Sequence, residues 1–170
     1  MLKTKRILLF LLILSICAAL LFIPFKKSLV FYENRTSHVV AYLTLHSEHH
    51  FQIRYTHSIH LSDVVESYDV QHDLFILQSL EYEDFAIGMP SGAEEGETFR
   101  EKDGKYYIEN MNRSLSDFTL FVGDVDRDLA LRYDNREYDL KEFLTRGESY
   151  RFEPERLSFF QLMKGVNMDG

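Results

Sequence analysis

Residues 51–58 read Phe-Gln-Ile-Arg-Tyr-Thr-His-Ser, and residues 64–70 read Val-Val-Glu-Ser-Tyr-Asp-Val. Successive side chains of a strand point to opposite faces, so the first run sets Phe51, Ile53, Tyr55 and His57 against Gln52, Arg54, Thr56 and Ser58. In the second run the even positions Val64, Glu66, Tyr68 and Val70 make the more apolar face. Antiparallel pairing across the turn containing Ile59 to Ser62 brings both apolar faces to one side. That pairing predicts Glu66 opposite or diagonal to His57, with Tyr55 beside them, at about 5–8 Å. A carboxylate on an apolar face is costly unless it is hydrogen-bonded or paired. Its convergence with a histidine and a tyrosine admits four readings: a proton-transfer set, part of a metal site, a polar clamp on a ligand, or a buried pair that fixes strand register.

Outward from this hairpin, further short runs rich in β-branched and aromatic residues span 39–45, 74–82, 105–109, 118–122, 129–133 and 150–152. They recur about every ten residues with polar turns between them, which predicts a mainly β domain, an antiparallel sandwich or barrel-like fold. Asp139 to Leu144 reads as a single helical turn, with Asp139 as its cap and Gly147 as its stop. Residues 157–163 fit either a closing strand or a short helix.

The chain of 170 residues is 45 % apolar and 27 % charged, with a formal net charge of −8, and is the size of one domain. The charge is segregated. Residues 28–170 carry 14 basic and 27 acidic side chains, a balance of −13. Such a body repels phosphate backbones and offers no basic stripe, so nucleic acid is excluded as a partner.

Lys3, Lys5 and Arg6 precede an uncharged apolar run from Ile7 to Phe25. As one helix it would span roughly 28 Å, near the thickness of a bilayer core. The run therefore reads as an uncleaved transmembrane anchor in residues 1–27. Residues 28–37 then read as a linker and 38–170 as an extracytoplasmic β domain on a single-pass protein of the cell membrane. A cleavable signal ending near Cys17-Ala18-Ala19 is the rival, although Leu20 to Phe25 prolong the run past that patch. An acylated Cys17 fits less well, because Ile16 stands where a small residue is expected. Cys17 is the sole cysteine, so the exported body has no disulfide to form.

All seven histidines lie between His38 and His72. Two imidazoles with a carboxylate make a common zinc set, but no helical His-Glu-x-x-His spacing exists and turn histidines are usually solvated. Ser58 lies next to His57, yet on the opposite strand face, and no Gly-x-Ser-x-Gly elbow is present. Asp124, Asp126 and Asp128 imitate the start of a calcium loop, with Leu129 in place of its glycine and Asn135 in place of its glutamate. Asn34 and Asn112 are glycosylation sequons. Residues 85–96 form a glycine-rich loop in which Gly88, Met89 and Pro90 are candidate ligand contacts.

Tyr55-Thr56-His57-Ser58, then Glu66, then the aromatic-led loop ending Gly88-Met89-Pro90 resemble a bacterial family of small exported proteins classed as a domain of unknown function, over about residues 45–125. Members of that family are often encoded beside TRAP transporters of the TAXI type. Ala86 stands where the family's loop carries a first glycine. The resemblance implies a membrane-tethered accessory near a carboxylate transporter rather than a freestanding enzyme, with TRAP transporter subunits as partners, and it supplies no established reaction. The expectation is a ligand-binding module with Tyr55, His57 and Glu66 as its polar centre, the 88–96 loop at its rim, an unspecified small-molecule ligand and no cofactor. The alternative is an exported hydrolase or zinc-dependent enzyme using His57 and Glu66.

Overall fold

A computed structural model describes residues 2–83 and 89–170. Helix α1, Leu2–Leu20, is followed by β1 (Pro24–Glu33), β2 (Val39–Thr44), β3 (His50–Thr56), β4 (Asp63–Gln71), β5 (Leu74–Tyr82), β6 (Thr98–Lys102) and β7 (Lys105–Leu115). Then come β8 (Phe118–Phe121), β9 (Leu129–Tyr133), β10 (Arg136–Asp139), a 3-10 turn at Leu140–Glu142, β11 (Ser149–Ser158), α2 (Phe159–Leu162) and β12 (Val166–Asn167).

The strands form two open sheets rather than a closed barrel. The smaller has the order β12-β2-β1-β11-β8, and the larger β10-β9-β3-β4-β5-β7-β6. Every pairing is antiparallel except β12 on β2. Both sheets contribute to one core, in which Leu29, Phe31 and Phe152 from the smaller sheet meet Phe51, Ile53 and Leu131 from the larger. Phe152 stacks on Phe31 at 4.3 Å and meets the edge of Phe51 at 5.8 Å, so aromatic rings bridge the two layers.

Three hairpins close through two residues that both have positive φ: His72-Asp73, Asp103-Gly104 and Asp134-Asn135. This geometry matches the twist of the flanking strands. His72 thus serves as a turn residue. Asp139 caps the 3-10 turn as expected, its side chain accepting from the Lys141 amide, and Gly147 has a φ of 83°. Residues 157–163 divide between the two expectations, since β11 runs to Ser158 and Ser158 caps α2.

Two features of the amino-terminal third differ from the sequence expectation. Residues 28–33 are not a linker, because β1 is an inner strand of the smaller sheet. Leu29 and Phe31 face the main core, while Val30 and Tyr32 face a second cluster with Tyr42, Leu157 and Leu162. A strand buried on both faces has no polar alternation, and Lys26-Lys27 at its start read as the end of the apolar run and the beginning of a connection. Nor is Ile7 to Phe25 one helix. Pro24 disfavours helical backbone at Ile23, so α1 ends at Leu20 and Phe25 lies in β1. Among the described residues, no helix is long and apolar enough to cross a membrane.

Candidate functional site

The ladder between β3 and β4 pairs Phe51 with Tyr68, Ile53 with Glu66 and Tyr55 with Val64. The apolar faces coincide as the alternation predicts. The larger sheet's inner surface is covered in two parts: Tyr68 belongs to the main core, whereas Val64 belongs to a separate cluster with Leu80, Tyr82, Ile108 and Met111. Glu66 lies between these two residues on the same strand, and Tyr55 packs against both clusters. The carboxylate therefore occupies a seam between two apolar clusters on one face of the larger sheet.

Two phenols stabilise it there. Tyr68 donates to Glu66 Oε2 at 2.6 Å, and Tyr55 donates to Oε1 at 3.4 Å. Burial, reinforced by the charge of Glu66, pushes both phenols well above the ordinary tyrosine value near 10. Both remain protonated donors at any physiological pH.

Over Glu66 opens a cleft of about 570 Å³. Ile53, Tyr55 and Glu66 of the larger sheet line it together with Phe118, Leu120 and Phe121 from β8, the edge strand of the smaller sheet. Val125, Arg127, Asp128 and Lys141 line it as well. Lys141 Nζ donates to the carbonyls of Val125, at 2.7 Å, and Arg127, which holds the 124–128 loop in place. The expected calcium-like triplet acts differently: Asp128 pairs with Arg54 at 2.8 Å and Asp126 with Arg146 at 3.1 Å.

His57 does not join Glu66. It lies beyond the end of β3 and accepts at Nδ1 from the Ile59 amide at 3.3 Å, while its backbone closes the 57–62 turn through Ser62 and Leu61. Continuing the register past Thr56–Asp63 places it four positions from Ile53, roughly 13 Å along the strand. The expected opposition failed because β3 ends at Thr56 and the turn begins at His57, two residues earlier than the alternation implied, and Tyr68 takes the place next to Glu66 reserved for His57. Tyr55 and Glu66 are together as expected. The rationale for a His57–Glu66 enzyme centre goes with that pairing.

Ser58 lines the cleft, yet among the described residues it makes no hydrogen bond to a histidine. The remaining histidines are distributed over the surface: His50 Nδ1 is 3.1 Å from Asp69 Oδ1, and His46 Nε2 is 3.7 Å from Asp169. No three His, Cys, Asp or Glu side chains among the described residues are grouped to hold a metal ion. Met89 packs on the Val64 cluster, and the Pro90 carbonyl accepts from Tyr82 Oη at 2.6 Å. Neither lines the cleft. Gly88 lies outside the described residues, as do Phe85, Ala86 and Ile87.

On the outer face, opposite the seam, Arg54 collects Asp63 at 3.2 Å, Asp128 at 2.8 Å and Glu137 at 2.9 Å. Its side chain is only 14 % exposed. Hydrogen bonds from Arg54 and Arg132 hold the Glu137 carboxyl below the usual carboxylate range. The hub fixes three strands, and the loop at the cleft border, behind the site. Sequence alternation placed Arg54 on the polar face without revealing its three partners.

These features define a two-sheet β domain with a cleft lined by apolar side chains and by Glu66, Arg127, Asp128 and Lys141. Residues 51–140 match the family described as a domain of unknown function, DUF1850, and the chain belongs to that family. The matched span holds nearly all of the larger sheet together with β8, so nearly every residue lining the cleft falls inside it, Lys141 lying one position beyond. No curated protein and no solved structure matches the chain.

Proposed function

We propose that this protein is a small-molecule-binding accessory domain, held on the outer side of the cytoplasmic membrane by its amino-terminal apolar segment and serving solute uptake by a TAXI-type TRAP transporter. The cleft over Glu66 carries the reading. Its volume lies in the ordinary range for ligand pockets, about 300–1,000 Å³, and its lining combines apolar side chains with the charged groups Glu66, Arg127, Asp128 and Lys141. Glu66 keeps acceptor capacity beyond its two tyrosine donors. It suits a ligand that turns a hydrogen-bond donor or a positive group inward, with Arg127 at the border for a second, acidic group.

The membrane part rests on the basic head at Lys3, Lys5 and Arg6 and on the exposed apolar side chains Ile7, Leu8, Leu9, Phe10 and Leu11 of α1. The transporter part rests on the resemblance of the Tyr55-to-Pro90 motifs to proteins encoded beside TAXI transporters. The reading requires neither metal nor cofactor.

Solute uptake by a TAXI transporter co-expressed with the full chain tests the proposal. Uptake is expected to fall when Glu66→Leu replaces the wild type and to persist with His57→Ala. Uptake that is the same with the wild type, with Glu66→Leu and with no accessory chain overturns it.

A further inference from the structure

The end of the domain nearest α1 differs in chemistry from the rest of the body. Phe22, Ile23 and Phe25 follow α1 and are 58 %, 52 % and 54 % exposed. Against them sits α2: the Phe160 amide donates to the Leu21 carbonyl at 3.0 Å, and the Phe22 and Phe160 rings are 4.9 Å apart. Phe159, Met163 and Val166 add further exposed apolar surface on the same segment. Single exposed apolar residues are unremarkable, but a contiguous aromatic group marks an interaction surface.

The charge pattern identifies what that surface meets. Residues 28–170 carry −13, yet neither 20–32 nor 156–168 contains an acidic residue, and the two stretches together hold Lys26, Lys27, Arg156 and Lys164. Lys164 Nζ sits 4.3 Å over the Phe160 ring, and Arg156 reaches the Phe25 carbonyl at 3.5 Å. Lys27 Nζ lies 3.9 Å from Asp73 Oδ1, whereas Lys26, Arg156 and Lys164 have no carboxylate partner among the described residues. Phenylalanines flanked by such basic side chains with apolar stems suit the headgroup boundary of an anionic bilayer.

Length supplies a second argument. The helical part of the apolar run, Ile7 to Leu20, rises only about 21 Å, against a hydrocarbon core of about 30 Å. A short apolar span is accommodated by local thinning or by drawing its flanks inward. Here the flank is the apolar end of the domain.

Resting on the membrane reading above, we propose that this end, formed by Phe22, Phe25, Phe159, Phe160 and Met163, lies in the bilayer interface and completes the short apolar span of α1. The domain then stands in a fixed orientation on the membrane instead of swinging on a tether.

Depth-dependent quenching in vesicles of phosphatidylcholine and phosphatidylglycerol tests this with the full chain. A fluorophore is placed on native Cys17, or, in a Cys17→Ser background, on Met163→Cys or on Glu101→Cys of the exposed edge strand β6. Met163 is 61 % exposed, so its substitution leaves the core intact. The expected result is loss of Cys17 fluorescence to acyl-chain nitroxides, loss of Met163→Cys fluorescence to headgroup-level nitroxides, and none at Glu101→Cys. Quenching at Cys17 without quenching at Met163→Cys overturns the seated domain and leaves the anchor standing. Quenching at neither removes the membrane reading and this proposal with it. Shielding of Met163→Cys that depends on protein concentration and not on vesicles assigns the face to a second copy and overturns the proposal.

Discussion

Tyr68 Oη donates to Glu66 Oε2 at 2.6 Å from two residues along the same strand. Both side chains therefore point to the same face, and the phenol stacked on Phe51 and Phe118 in the core reaches sideways to the carboxylate at the seam. A core aromatic thus holds the cleft's acidic group in place.

Tyr68→Phe keeps the stacked ring and removes the donor. Hydrogen bonds to charged groups contribute about 1.5–3 kcal/mol, so chemical denaturation is expected to show a loss in that range. Tyr55→Phe, whose contact is 3.4 Å, is expected to cost under about 1 kcal/mol. Equal losses for the two would contradict the assigned asymmetry.

His57→Ala removes a half-exposed side chain whose polar contact is the Ile59 amide. Its effect on stability is expected to stay within about 0.5 kcal/mol, the usual range for surface positions. A loss above about 2 kcal/mol would mean that His57 is bound into the fold more tightly than its turn geometry allows.

Arg54→Met strips three carboxylates of their common partner, with an expected loss of about 1–3 kcal/mol near neutral pH. The pH dependence follows from Glu137. Its carboxyl is held low in the folded protein, so its contribution is full above the ordinary value near 4.3 and is lost as the pH falls through the lower folded value. The gap between wild type and Arg54→Met should accordingly narrow on acidification below about pH 4. Denaturation midpoints from pH 7 to pH 3 measure it, and a constant gap would count against the hub.

Two positions are expected to lose stability for opposite reasons, a void at Phe152 and crowding at Gly165. Phe152→Ala opens a cavity among Phe31, Phe75 and Phe118 and is expected to cost about 3–5 kcal/mol. Gly165→Ala inserts a Cβ 2.5 Å from Val39 Cγ1 and 3.1 Å from Tyr42, an overpacking expected to cost about 1–3 kcal/mol. Gly92→Ala, with open space around it, serves as the control and should unfold like the wild type.

The inner hairpin was legible because its two strands are adjacent in sequence and each buries one face; period-two alternation carries that information. Only the turn boundary misled, and it moved His57 away from Glu66. β1 was hidden for the opposite reason, since both of its faces are buried, and its first residues, Pro24 and Phe25, belong to the apolar run that begins in α1. β6 is exposed throughout and charged, so it shows no period, although Asp103-Gly104 marks the hairpin that contains it. Of the cleft, Tyr55 and Glu66 were legible, because they lie on neighbouring strands. Phe118 and Leu120 reach it through the docking of β8 on β11, and Arg127 and Lys141 through the contact of the 3-10 turn with the 124–128 loop, long-range placements that no local pattern encodes.

Crystals of the protein soaked with a library of small aromatic amines and alcohols address the central claim most directly. The account predicts fragments bound in the cleft between β8 and the larger sheet, with an amine or hydroxyl within hydrogen-bond reach of Glu66, and their loss when Glu66→Leu crystals are soaked in the same way. A cleft that stays empty across the library while other surface sites fill, or occupancy indifferent to Glu66, would contradict it.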